Sequence, residues 1–305
     1  MRIGLMAGAG GAGGNGIMDL VEFSKDAEER GFDSLWLANI FGLDAVGSCA
    51  IAGWETNRIE FGTAVTPTYP RHPGALAQQA LTTSVACGGR FSLGIGLSHQ
   101  LVIEGMFGMS YAKPAAHMKE YLEIIAPLLK GEASDFEGEQ LTGKMTLDIP
   151  GAGEVPLIVA ALGPAMLKLA GTLADGTVTW MTGPKTMEEH IIPSINAAAE
   201  EAGKPAPRTV CGLPMALTDD VDGAREIIAK ELQIYGMLPS YRAMLDREGV
   251  AGPAELAIVG DEATLRGAIQ RLRDIGVTDL NAAVMSVGEG VLENTIELLQ
   301  SELGG

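Results

Sequence analysis

The sequence predicts an α/β fold, a TIM (β/α)8 barrel formed by residues 1–305 as a single domain, with insertions after strand 4 and before strand 5. Three observations carry this. Short β-rich runs alternate with helical ones from end to end, making eight pairs. Most of the strand runs are continuously apolar, as buried parallel strands are. The amphipathic segments between them supply the crossovers that parallel strands need, and eight units in 305 residues suit a barrel better than a six-stranded open sheet.

The first strand, RIGLMAG from Arg2, runs into a glycine-rich loop and then the helical MDLVEFSKDAEERG, whose last residue, Gly31, suits a left-handed helix C-cap. SLWLANI from Ser34, IEFGTAV from Ile59 and FSLGIGL from Phe91 are the second, third and fourth strands. The segment from Leu97 to Lys113 exceeds a plain crossover, and the polar, glycine-spaced DFEGEQLTGKMTLDIPG reads as an inserted hairpin. PLIVAAL from Pro156, TVTWMT from Thr177, TVCGLPMAL from Thr209 and LNAAVMS from Leu280 complete the set, with AREIIAKELQIYG a helix before the last strand.

Gly8, Gly10 and Gly13 fall on a GxGxxG spacing. A dinucleotide fold would also start its helix inside that motif and end the next strand with an acidic residue. Helical periodicity resumes only near Ile17, and the second strand ends in Ala38 and Asn39, with Asp33 lying before it. The glycines read instead as a loop after the first strand that lets backbone approach a ligand.

Lys and Arg number 21 against 39 Asp and Glu, a formal charge of -18 that argues against nucleic-acid or anionic-membrane partners. Any anionic ligand must therefore be held by local groups. Cys49, Cys87 and Cys211 are too scattered for a disulfide framework, no His/Cys/Asp grouping has metal-ligand spacing, and neither a signal peptide nor a membrane span is expected. The expectation is a cytoplasmic protein, with apolar helix faces suited to a homodimer.

A barrel builds its active site from the loops after its strands, here LANIFGLD, TAVTPTYPRHP, LSHQLVIEGMFG, ALGPAML and TWMTGPK. The run IEFGTAVTPTYPRHPGALAQQALTTSVACGGRFSLGIGLSH, then HMKEYLEIIAPLLKGE and PLIVAALGPAMLKLAGTLADGTV, resembles the luciferase-like monooxygenase superfamily, and within it the branch using the deazaflavin coenzyme F420. SHQLVIEGMFG is similar to an actinobacterial subgroup of that branch. The resemblance covers nearly the whole chain and rests on the ordered set RHP, GGRFSLGIG and GPAMLKLAG…ADG. It implies a tricyclic ring held against a bulged third strand with a non-proline cis peptide, by position Ala64–Val65, with Thr66 and Ser98 completing that cofactor set.

In ALGPAMLKLAG a glycine turn precedes Pro164 at the first helical position, so Leu162 and Gly163 offer backbone contacts to a cofactor phosphate. The resemblance implies a second half of that site at Trp180, Met181, Thr182 and Gly183. Lys185, Arg71 and His72 can add positive charge. Relatives in the F420 branch carry Asp or His just after the second strand, where this chain has Ala38, Asn39 and Ile40. Asn39 can orient a hydroxyl or carbonyl but cannot transfer a proton at pH 7, which leaves His99 first and Glu104 second as proton carriers. His117 and His190 fall on helices and read as surface or packing residues.

Met106, Phe107, Met109 and Tyr111, with Met237, Leu238 and Tyr241, suit an apolar or planar small-molecule substrate. The expected function is an F420-dependent oxidoreductase moving a hydride between the deazaflavin C5 and a small organic substrate, reducing an activated C=C or C=O. The alternatives are an FMN-dependent two-component monooxygenase of the same fold and a non-catalytic flavin- or deazaflavin-binding protein.

Overall fold

A computed structural model describes residues 1–8, 14 and 16–304. Gly10 and Gly13 of the glycine motif lie outside the described residues. Twelve strands are present among the described residues: β1 (Arg2–Ala7), β2 (Ser34–Leu37), β3 (Glu60–Thr63), β4 (Thr66–Pro67), β5 (Phe91–Gly96), β6 (Ser134–Glu137), β7 (Thr142–Met145), β8 (Leu157–Val159), β9 (Gly176–Trp180), β10 (Arg208–Leu217), β11 (Ile258–Gly260) and β12 (Asp279–Val284). Parallel pairing runs β1, β2, β3, β5, β8, β9, β10, β12 and back to β1, so the sheet closes into an eight-stranded ring with helices between the strands. This is the barrel that the alternating pattern predicts. All eight sequence-predicted strands take part, and the inserted hairpin forms as antiparallel β6 and β7.

The third strand is interrupted after Thr63 by a cis Ala64–Val65 peptide, at the position the resemblance implies, and resumes as β4, which pairs with β5. Other local features differ from the sequence reading. β11 was not foreseen: three residues add to the far end of β10 at Met215–Leu217, too short a run to show a period. AREIIAKELQIYG divides at Leu232 into helices Val221–Glu231 and Gln233–Met237. The first helix, Ile17–Arg30, does end on a left-handed Gly31 at φ 96°.

Alternation along the strands sorts side chains into an outer core beneath the helices and an inner stack along the axis. The inner stack begins with an ionic layer at the N-terminal ends of the strands. Arg208 contacts Asp279 at 2.6 Å and Glu60 at 2.7 Å, and Arg2 contacts Glu60 at 2.6 Å. Above it Trp36, Ile158, Val178 and Val210 form a buried plug. The Trp36 indole fits because β3 has Gly62 opposite: a Cβ there would lie 2.4 Å from the ring. Its Nε1 donates to Ser34 Oγ at 3.0 Å, and the Arg208 guanidinium lies 5.5 Å from the ring centroid. The lower part of the barrel is thus filled by its own side chains.

Candidate active site

Small side chains make the floor of the mouth. Ala64, Val65 and Ala160 pack on the Trp36 plug, and Val65 fills the space over two glycines of β5. A Cβ at Gly96 would stand 2.5 Å from a Val65 methyl. Thr66 follows directly, but it shares register with Ile95, a residue of the outer core, so its side chain is on the helix side of the sheet. Its buried hydroxyl has no hydrogen-bond partner.

Aromatic rings form two walls. On one, Tyr69 stacks on His117 with centroids 4.0 Å apart and on Tyr111 at 5.2 Å. On the other, Trp180 at the end of β9 meets Tyr235 edge-on at 6.0 Å, Tyr235 meets Tyr241 at 5.1 Å, and Tyr241 lies 5.7 Å from the ring of His99. Burial pushes the Tyr69 phenol up to about 12 and raises those of Tyr111, Tyr235 and Tyr241 as well, so all four stay neutral. The loop residues Met106, Phe107, Met109 and Met237 are exposed beyond these walls.

His99 is the N-cap residue of the short helix Gln100–Gly105, half-buried, and its side chain makes no cap hydrogen bond. Burial lowers its pKa, leaving a neutral imidazole at pH 7 beside Tyr241. Glu104 instead faces solvent and braces its own loop, accepting from Gln100 Nε2 at 2.8 Å and the Tyr111 amide at 3.2 Å. Asn39 accepts from the Ala45 amide at 3.0 Å and so helps start the helix Ala45–Trp54. Ser98 adopts φ 58°, and its carbonyl accepts from the Tyr111 hydroxyl at 3.2 Å.

The two expected phosphate turns differ. At the first, Gly163 is the N-cap of the helix Pro164–Leu173, with Pro164 in its first turn and no side chain capping it. The Leu162 carbonyl is paired with His190 Nε2 at 2.8 Å. The Gly163 N–H belongs to the same trans peptide as that carbonyl and points the opposite way. At the second, Met181 and Thr182 are buried, and the Thr182 hydroxyl turns back to the Trp180 carbonyl at 3.2 Å. The amides that follow are already taken by Glu248, whose carboxylate accepts from Lys185 N at 3.1 Å, Thr186 N at 2.8 Å and Thr186 Oγ1 at 2.6 Å. A helix start favours an anion, and here the chain supplies its own.

Of the three supporting basic groups Lys185 is exposed, and the other two are committed elsewhere. Arg71 pairs with Asp44 at 2.7 Å, and His72 bonds the Gly74 amide and the Thr142 carbonyl. His117 and His190 are buried and hydrogen-bonded, which corrects the surface half of their sequence reading. Glu248, Tyr235, Tyr69 and His190 were absent from the predicted site. The first two come from a distant segment with no local motif, and only the fold brings them to the mouth. Among the described residues no group of three or more His, Cys, Asp or Glu is placed to hold a metal ion, and no helix is long and apolar enough to cross a membrane.

Comparison with known proteins agrees with this architecture. The family described as luciferase-like monooxygenase matches residues 1–279. A 5,10-methylenetetrahydromethanopterin reductase of Methanolobus tindarius is 29% identical over 249 residues, 80% of this chain and 74% of its own length. An F420-dependent glucose-6-phosphate dehydrogenase of Nakamurella multipartita is 31% identical over 279 residues, 84% of this chain and 78% of its own length. The solved structure of a coenzyme F420-dependent tetrahydromethanopterin reductase from Methanopyrus kandleri superposes with a TM-score of 0.79 at 23% identity, covering 99% of this chain and 97% of that one.

Proposed function

This chain belongs to the luciferase-like monooxygenase family, and from that premise we propose that it is a coenzyme F420-dependent oxidoreductase acting on a small apolar or planar molecule, reducing an activated C=C or C=O. The observation that supports it most directly is the mouth itself. A floor of the small side chains Ala64, Val65 and Ala160 suits a flat ring, neutral aromatic walls flank it, and an uncapped helix start lies at Gly163. In a chain of charge -18 such an amide cluster is a local anion seat. These features fit F420, which supplies the hydride when bound.

The chain's own residues then divide the remaining work. Ala64, Val65 and Ala160 carry the ring, and the Gly163 turn receives the phosphate through backbone N–H groups. The Tyr235 and Tyr241 wall excludes water from the reacting face. A ring nitrogen of His99 takes a proton from an alcohol during oxidation and returns it during reduction. Glu104 and Asn39 serve as braces of the surrounding loops.

The cofactor is tested by fluorescence titration with F420 and with FMN. Saturable quenching by the protein of F420 alone supports the proposal; quenching of FMN alone favours the monooxygenase alternative, and response to neither ring overturns both. Tight F420 binding without turnover across carbonyl and enone acceptors would identify a binding protein. We also propose a homodimer in a reducing cytoplasm. The neighbouring helices Ala45–Trp54 and Pro73–Ala86 carry no charged residue, Trp54 on their surface is 74% exposed, and the three cysteines are free and buried. An uncharged face is where a second copy of so acidic a chain can approach.

A further inference from the structure

One side chain inside the barrel is neither used by the proposed chemistry nor satisfied by the fold. Asn281, midway along β12, is fully buried, and neither its Oδ1 nor its Nδ2 has a hydrogen-bond partner. Its direction follows from alternation. Asp279 reaches into the ionic layer, whereas Leu280 and Ala282 belong to the outer core, so Asn281 faces the barrel axis. Its register partners on both flanking strands are glycines, Gly4 on β1 and Gly212 on β10. No side chain from either neighbouring strand covers the amide at its own level.

What lies over this spot belongs to the mouth. A Cβ at Gly212 would stand 3.1 Å from the Trp180 ring and 3.5 Å from the Met6 terminal methyl. Both side chains are half-buried, and the unbranched Met6 is the one able to move aside. A buried carboxamide with both atoms unpaired is costly, and folded proteins keep such a group where something else pairs with it.

We propose that Asn281 is a ligand-binding residue under the mouth, recognising the imide edge of the tricyclic ring: Nδ2 donates to a ring carbonyl and Oδ1 accepts from the adjacent ring N–H. The inference rests on the ring-cofactor reading above and extends it to a residue of the last strand. A carboxamide presents one donor beside one acceptor, the complement of a carbonyl next to an imide N–H.

The test replaces Asn281 by Leu, close in size but without polar atoms, in the otherwise unaltered protein. The thermal midpoint of the cofactor-free protein is measured beside the F420 dissociation constant from fluorescence quenching. The expected pattern is opposed: a higher midpoint, because an unpaired amide is gone, and a dissociation constant raised about tenfold or more, as loss of one good hydrogen bond gives. Unchanged affinity overturns the proposal. So does a fall in midpoint together with weaker binding, the pattern of an amide satisfied by internal water. Should the Leu variant fail to fold, Asn281→Ala, which removes both polar atoms, decides by the same affinity measurement. Failure of the wild-type protein to bind F420 or FMN would strike the cofactor reading itself, separately from Asn281.

Discussion

Burial sets the chemistry of His99. With its pKa held below the ordinary value of about 6.5, the imidazole is neutral at pH 7 and competent as a base. For alcohol oxidation, kcat/KM should therefore rise through a midpoint below about 6.5 and stay flat above it, because the protonated ring cannot accept a proton. His99→Ala should cost about 100-fold in turnover and remove that acid limb, with F420 affinity changing little. Steady-state rates across pH together with quenching titrations check both halves, and an unaltered rate would remove His99 from the reaction. Sequence position was enough to nominate His99, since it follows the fourth strand directly. The sequence ranks His99 ahead of Glu104 and denies Asn39 a proton-transfer role; what it does not give are the hydrogen bonds that Glu104 and Asn39 accept from Tyr111 N and Ala45 N, which depend on how their loops fold.

The two helix starts after β8 and β9 look alike in sequence, each a glycine followed by proline, yet one is open and the other is closed by Glu248. Helix Pro239–Glu248 thereby spans the mouth, with Tyr241 against His99 near one end and Glu248 at the other. Glu248→Ala removes a capping carboxylate and should destabilise the protein by about 0.5–2 kcal/mol, measured by urea unfolding. Strand β3 offers a second check. Gly62→Ala places a methyl against the Trp36 ring, whose neighbours leave it nowhere to go, and should cost about 1–3 kcal/mol in the same assay.

Closure of the ring depends on the ionic layer where β1, β3, β10 and β12 converge. Burial pushes the Glu60 carboxyl up, and the Arg208 and Arg2 guanidinium groups more than offset it, so its pKa is below the usual carboxylate value. A depressed folded-state pKa stabilises above the unfolded value of about 4.3 and is lost as pH falls through the folded one. Arg208→Met should cost about 3–5 kcal/mol at pH 7, because it leaves Asp279 and Glu60 buried without their main partner, and it should flatten the acid dependence of stability. Unfolding followed from pH 7 into the acid range measures both. For the proposed dimer, Trp54→Lys should shift sedimentation toward a single chain while leaving F420 binding in place.

The eight barrel strands and most of the helices between them were legible in the chain, because apolar periodicity and helix-ending glycines are local signals that survive without a partner. So were the residues that follow each strand, since a parallel barrel puts all of them at one end. What those residues touch was decided by packing. Glu248 reaches Thr186 across 62 positions of sequence, and Arg208 reaches Glu60 across 148. Such contacts fix which amide is open, which carboxylate is spent and which ring loses its water, and no spacing along the chain encodes them, because each is a distance between elements that only closure of the ring creates.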